Sequence, residues 1–302
     1  MEGVIIAGPT ASGKSAAALE IAAALDGEIV NADAMQIYRE LPILTASPSA
    51  VDRAQIPHHL YNCVPGEERW SAGLFARKAA ALCDDILARG RRPIVVGGTG
   101  LWLKALTDGL SPIPPIDDSY GRAAAARWAQ LGPEDFRREV LNLDPAMEAL
   151  APADRQRHLR AWTVATATGT PLSEWQRVPP TPVLTIEWAR GVLMPDRETL
   201  RTRSAHRFAA MVERGAMGEV AALLARDLSL SLPIMKAVGV RELSKVLAGE
   251  WSLEEGVSAA VTATHRLVKR QTTWFNNQFS AWPQSASANA LNEALGGGQG
   301  RR

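Results

Sequence analysis

Residues 3–15, Gly-Val-Ile-Ile-Ala-Gly-Pro-Thr-Ala-Ser-Gly-Lys-Ser, constrain the fold more than any other stretch. The run 4–7 is short, apolar and β-branched, and reads as a buried parallel strand. Residues 8–15 fit G-x-x-x-x-G-K-[ST] at each fixed position. Residues 16–25, rich in Ala and Leu, read as a helix. A chance glycine-rich turn is disfavoured because motif, strand and helix agree. Gly8 and Gly13 let the backbone turn so that successive N–H groups converge on an anion, and the helix N-terminus adds partial positive charge. Lys14 is placed to reach terminal phosphate oxygens and Ser15 to ligate Mg²⁺. The loop accepts a diphosphate ester as readily as ATP.

With 302 residues and 46% apolar content, the chain has length for one large α/β domain or two smaller ones. Net charge is +1, so bulk charge does not announce nucleic acid. Residues 151–280 hold 17 basic against 12 acidic side chains, the remainder 16 against 20, which favours the second half as the anion-facing surface. Cys63 and Cys83 have no metal-type spacing and cannot build a disulfide framework. No leader signal precedes the first strand, and no apolar run reaches membrane-spanning length. A cytoplasmic protein with no membrane partner is expected, and nothing demands more than a monomer.

A second strand at 28–31 delivers Asp33 to the carboxyl edge of the sheet, where ligands bind in open α/β folds. Asp33 there suits an acid, a base or a Mg²⁺ partner; the alternative is an Asx-turn or helix cap. Residues 39–57 read as loop and 58–64 as strand. His58 and His59 would face opposite sides of that strand, which disfavours one shared metal. A helix capped by Ser71 runs to about Arg89, and a strand over 93–96 ends in Gly97-Gly98-Thr99-Gly100. An ATP-driven motor would usually put an acid there. The glycines permit close approach of ligand or backbone, and Thr99 offers a hydroxyl to substrate or an N-cap to the next helix.

Proline-rich residues 112–115 separate this core from helices over 119–131, 133–143, 146–150 and 153–168. Arg157 and Arg160 share a face of the last one, suited to phosphate or base-edge contacts or simply to a solvated surface. A strand over 183–194 returns to the sheet. The helix opened by Asp196 carries Arg203 and Arg207 four apart, a phosphate clamp or a surface helix paired with Glu198 and Glu213. Residues 216–248 are helical in pattern, and Ser252 with Glu255 forms a capping box for a long helix to about Phe279. Basic residues beside Trp274 and Phe275 suit either nucleic acid or a core-facing last turn. The resulting division is a P-loop core over 1–112 and 183–282, an inserted helical subdomain over 113–182, and a disordered tail over 283–302, rich in Ser, Ala, Asn and Gly.

Taken in order over about residues 3–279, these pieces resemble the tRNA dimethylallyltransferase (tRNA isopentenyltransferase) family of bacterial type. The matching stretches are residues 8–15, 31–38 (Asn-Ala-Asp-Ala-Met-Gln-Ile-Tyr), 97–101, 154–157 (Asp-Arg-Gln-Arg), 168–173 and 269–275 (Lys-Arg-Gln-Thr-Thr-Trp-Phe). The resemblance implies a P-loop NTPase-like parallel sheet flanked by helices, with the insertion gripping the anticodon stem-loop. It implies transfer of a dimethylallyl group from dimethylallyl diphosphate to N6 of the adenosine 3′ to the anticodon, with Mg²⁺. Gly8, Pro9, Thr10, Ala11, Ser12, Gly13, Lys14 and Ser15 would then hold the diphosphate, with Ser15 on the metal. Asp33 would be the general base and Thr99 would sit in the reaction channel, with Lys14, Arg203 and Arg207 stabilising the leaving group. Asp33, Ala34, Met35, Gln36, Thr99, Arg122, Gln156, Arg157, His158, Leu159 and Arg160 would meet tRNA.

Three departures stand out. Ala34 replaces a usual Ser, Leu44-Thr45-Ala46-Ser47-Pro48 replaces Gly-Thr-Ala-Lys-Pro, and Val240 replaces a usual Tyr. The spacing before Arg122 is one residue longer than usual, and no zinc finger follows Phe279. The rival reading is a P-loop small-molecule kinase, in which Asp33 would serve phosphotransfer.

Overall fold

A computed structural model describes residues 2–295. Its elements are β1 (Gly3–Ala7), α1 (Lys14–Leu25), β2 (Gly27–Asn31), α2 (Ala50–Gln55), β3 (His58–His59), α3 (Ala72–Ala88), β4 (Arg92–Gly97), α4 (Gly100–Thr107), α5 (Asp118–Leu143), α6 (Arg155–Thr168), α7 (Leu172–Arg177), β5 (Trp188–Leu193), α8 (Arg197–Glu213), α9 (Ala216–Leu224), α10 (Val240–Leu247), α11 (Leu253–Gln278), β6 (Gln284–Ser285) and α12 (Ala288–Ala294). The chain divides into two compact units, 2–107 with 183–295 and 108–182. The second begins five residues earlier than the proline-rich break suggested.

The first unit is one sheet in the order β3-β2-β4-β1-β5-β6, with every pairing parallel. Both faces are covered, so the central strands are continuous apolar runs. Val4, Ile6, Ile94 and Val96 face α1 and α12; Ile5, Ala7, Val30 and Val95 face a larger core that includes Phe75, Trp102, Phe208 and Phe275. Because β4 lies between β2 and β1, the turns after these three strands emerge side by side. Ala7 pairs with Gly97 and Asn31 with Val96, so they end at nearly one level. Gly97 is required there: a Cβ would lie 2.1 Å from the Ala32 carbonyl oxygen.

The second unit packs α5, α6 and α7 around Phe136, Val140, Ala161 and Val164. Its long helix is two segments, since Gly132 (φ 76°, ψ 175°) and Pro133 break it, as the separate helices over 119–131 and 133–143 anticipated. Gly169 ends α6 in the left-handed region at φ 69°.

Three local readings are corrected. The loop expected over 39–57 contains α2, closed by a capping box between Ser49 and Asp52. The strand expected over 58–64 shrinks to two residues, since Leu60 and Asn62 have positive φ. The tail expected to be disordered over 283–302 instead supplies β6 and α12, and its last residues, 296–302, lie outside the described residues. Leu291 and Leu295 are buried beside Ile21 and Ala22. Leu291 approaches so closely that a Cβ on Gly191 would stand 2.4 Å from it. Leu291→Ala should therefore lower the unfolding free energy by about 2–4 kcal/mol, a large-to-small core change. Denaturant titration checks this; an unchanged midpoint would return the segment to solvent.

Candidate active site

The loop after β1 wraps an anion-sized hollow. Gly8 has no room for a side chain, because a Cβ would meet the Leu193 carbonyl oxygen at 2.6 Å. Ala11 (φ 65°) and Gly13 (φ 96°) take left-handed conformations, the turn needed to aim consecutive N–H groups inward. The buried Ser12 hydroxyl has no hydrogen-bond partner among the described residues, which leaves it free to bond an anion held by the loop. Lys14 is only 9% exposed. Burial pulls its ammonium down to about pKa 8, with Asp33 opposing and Arg207 reinforcing the shift. Burial also lowers the Arg207 guanidinium, which Asp33 offsets.

Arg203 and Arg207 on α8 both reach the phosphate loop's cavity. Arg203 donates from Nη1 to the Ser12 carbonyl at 3.3 Å, and Arg203 and Arg207 line one cavity of about 480 Å³ with Lys14, Ser15 and Asp33. Neither arginine is paired with Glu198 or Glu213 among the described residues, which disfavours the surface-helix alternative. Thr10, Asp33, Thr45 and Arg207 also line an adjoining cavity of about 300 Å³. Its further wall is largely apolar, with Met35, Leu44, Phe208, Met211 and Leu267. The two hollows share Thr10, Asp33, Thr45 and Arg207, and the second adds Lys236 and Arg270 beside its apolar wall.

Asp33 is held by Asn31, which the sequence reading passed over. Buried Asn31 accepts from the Asp33 N–H at 2.8 Å and donates to the Asp33 and Leu60 carbonyls. Asp33 Oδ1 accepts from Met35 N at 3.0 Å, the anticipated Asx-turn, while Oδ2 has no hydrogen-bond partner among the described residues. The Asx-turn reading of Asp33 therefore holds, and Asp33 also lines both cavities. Thr99 does not line either cavity. Its hydroxyl accepts from Ala34 N at 2.9 Å, which leaves its own proton to donate. Gln36 donates to the Thr45 and Ala46 carbonyls, and Glu219 accepts from the Ile43 and Leu44 N–H groups at 2.7 and 2.9 Å. Glu219, also missed, thereby fixes the loop that joins the two cavities. Nothing in the local sequence around Glu219 signals a partner 176 positions away.

Phe275 is fully buried and Trp274 packs against the core, so the core-facing reading of that turn holds for both. The remaining predicted RNA-facing residues belong to the second unit. Arg122, Gln156, Arg157 and Arg160 are exposed. His158 and Leu159 differ from expectation: His158 is fully buried and bonds the Asp154 carbonyl, and Leu159 packs into the helical core. Helical spacing explains the split, since 158 lies on the buried stripe with 161 and 165 while 156 and 160, four apart, share the opposite face and 157 lies at its flank.

Ser15 stands exposed in the first turn of α1, within the cationic cavity and with Asp33 on its wall. That donor set fits Mg²⁺, which keeps several waters and takes few protein ligands beside substrate phosphates. Among the described residues no cluster of three or more His, Cys, Asp or Glu offers a cation cage.

The model of the IPP transferase family matches residues 36–278. The chain belongs to this family. A tRNA dimethylallyltransferase of Caulobacter sp. (strain K31) is 49% identical over 280 residues, 92% of this chain and 91% of the relative. That of Parvibaculum lavamentivorans is 48% identical, covering 92% and 89%. Among solved structures, the tRNA isopentenylpyrophosphate transferase of Bacillus halodurans superposes with a TM-score of 0.68 at 29% identity, covering 98% and 95%. A eukaryotic dimethylallyltransferase acting on tRNA superposes with a TM-score of 0.77 at 26% identity, covering 92% of this chain and 71% of its own. The relatives are prenyltransferases, which removes the kinase alternative.

A buried ammonium disfavours folding while it is charged, below about pH 8, and the penalty fades as pH rises toward the ordinary lysine value of 10.5. Lys14→Met should therefore raise the unfolding free energy at pH 7 by about 1–3 kcal/mol. That advantage should shrink between pH 8 and 10.5. Denaturant titrations across this range check it; a constant advantage would place its origin elsewhere.

Proposed function

We propose that this protein transfers the dimethylallyl group of dimethylallyl diphosphate to N6 of the adenosine 3′ to the anticodon (position 37) in tRNA, giving N6-isopentenyladenosine and diphosphate. The observation that carries this reading is the pair of cavities meeting at Asp33. A diphosphate suits the side closed by the phosphate loop, and an allylic group with a planar base suits the apolar wall of the other.

The allylic C–O bond breaks and its electron pair leaves with diphosphate. The P-loop N–H groups, Lys14, Arg203 and Arg207 meet the growing negative charge in a fixed, largely dehydrated setting. Mg²⁺, held by Ser15 and phosphate oxygens, would add further charge neutralisation. The adenine N6 forms the new C–N bond and gives up one proton to Asp33 Oδ2. This amine is conjugated into the ring, so a positioned base matters. The target base must leave its stack, which costs least in a single-stranded loop. Arg122, Gln156, Arg157 and Arg160 supply backbone contacts to the anticodon stem-loop. Among the described residues no helix is long and apolar enough to cross a membrane, and both cysteines are free thiols. We read the protein as a cytoplasmic monomer whose reacting groups all come from one chain.

Radiolabelled dimethylallyl diphosphate and Mg²⁺ should label an unmodified anticodon stem-loop, and changing the target adenosine to guanosine should abolish the label. No transfer to the adenosine substrate would overturn the reading. Asp33→Ala should keep tRNA affinity within about tenfold while lowering the single-turnover rate about 10²–10⁴-fold. Arg157→Ala should weaken tRNA binding and make its salt dependence shallower by roughly one counterion, measured by titration at several salt concentrations.

A further inference from the structure

The tetrad Gly97-Gly98-Thr99-Gly100 looks like an opening for a ligand, yet two of its glycines are filled from within the protein. A Cβ on Gly98 would stand 2.5 Å from Gln271 Nε2, and one on Gly100 would stand 2.2 Å from Trp274 Cε3. Both partners lie on α11. The half-buried Gln271 side chain is engaged at both polar atoms of its tip. Its Oε1 accepts from the Thr10 N–H at 2.9 Å, and its Nε2 donates to the Gly98 carbonyl at 2.9 Å. One amide therefore joins the diphosphate loop to the turn after β4. The next residue in that turn, Thr99, accepts from the Ala34 N–H and so reaches the turn that carries Asp33. The three loops emerge from β1, β4 and β2 without backbone pairing beyond the strand ends except at Ala32, whose N–H and carbonyl bond Val96 and Thr99. Among the described residues, Gln271 is the side chain whose hydrogen bonds tie the first loop to the other two.

We propose that Gln271 is a positioning residue for prenyl transfer: its amide sets the separation between the diphosphate cradle and the Asp33 turn. It has no step in the bond changes. It also satisfies the Thr10 N–H, so that this donor, like the Ser12 N–H bonded to the Pro9 carbonyl, serves the frame of the loop. The inference rests on the prenyl-transfer reading above. Reacting groups held out of line by about 1 Å lose on the order of 10²-fold in rate, which sets the scale of the effect.

Gln271→Met keeps the length and packing of the side chain and removes both hydrogen bonds. The single-turnover transfer rate, with donor and stem-loop saturating, should fall about 10–100-fold, with RNA affinity within about threefold of the parent. A rate within twofold of the parent, or a loss of RNA affinity equal to the loss of rate, would overturn the proposal. The second comparison does not depend on that variant. Gly98→Ala should displace the amide and slow transfer, whereas adding Gly98→Ala to Gln271→Ala should cause little further loss; fully additive losses would overturn the link. The parent protein runs beside them. If it labels no RNA, the prenyl-transfer reading has failed; if it labels RNA and the variants do not slow, only the role of Gln271 has failed.

Discussion

A lysine ammonium buried at the carboxyl edge of the sheet is the constraint around which the first unit is built. Lys14 is held where water is scarce, near a second cation on α8, with Asp33 as the opposing charge. Its one direct hydrogen bond in the described structure, to the Pro9 carbonyl at 3.4 Å, is long. Such a group is poorly compensated by the protein alone. An entering polyanion reverses the balance: it supplies the missing countercharge, satisfies the Ser12 hydroxyl and restores the lysine toward its ordinary basicity. On the proposed reading, binding energy would then be concentrated on the group that must later leave.

Holding that arrangement requires rigid surroundings, and these come from close backbone packing together with a few side-chain amides and carboxylates. The level ends of β1, β2 and β4 let three turns converge. Close contacts then remove their freedom: Gly97 against the Ala32 carbonyl, Gly8 against the Leu193 carbonyl, and Asn31 bonded to both sides of Asp33. Helix α11 serves two roles on this framework. Thr264, Leu267 and Arg270 face the reaction cavity, while Phe275 and Trp274 anchor the helix in the core. A base reaching the cavity is therefore met by the same element that braces the loops.

Features whose cause is local were legible in the sequence. The phosphate loop, the caps at Ser71 and Ser252, the stop at Gly169 and the break at Gly132-Pro133 each depend on a few neighbouring residues, and each was found in place. Asp33 was legible because a strand end dictates where the next residues point. Gln271, Glu219 and the occupant of the glycine tetrad were not, because each acts across more than 170 positions through tertiary contact. The tail was misread for a related reason. Its composition is polar and small, but Leu291 and Leu295 meet an apolar surface on α1 and β5 that no local pattern reveals. His158 shows the opposite error: a motif stretch was read as a surface, whereas the helical period turns this member inward.

The same physics accounts for what the strand end after β4 lacks. A carboxylate at Gly98 would stand beside Asp33 and the diphosphate cradle, adding negative charge where the leaving group must gather it, and it would have to displace the Gln271 amide. An uncharged turn avoids both conflicts. Among the described residues the two cavities then keep a single carboxylate, Asp33, and on the proposed reading it serves the nucleophile while Lys14, Arg203 and Arg207 serve the leaving group. That separation suits substitution at an allylic carbon, in which positive charge develops between the two: the base accepts a proton on one side while the cradle draws electrons to the other. A turn made of glycine and a single hydroxyl is, on this account, as much a requirement of the chemistry as Lys14 itself.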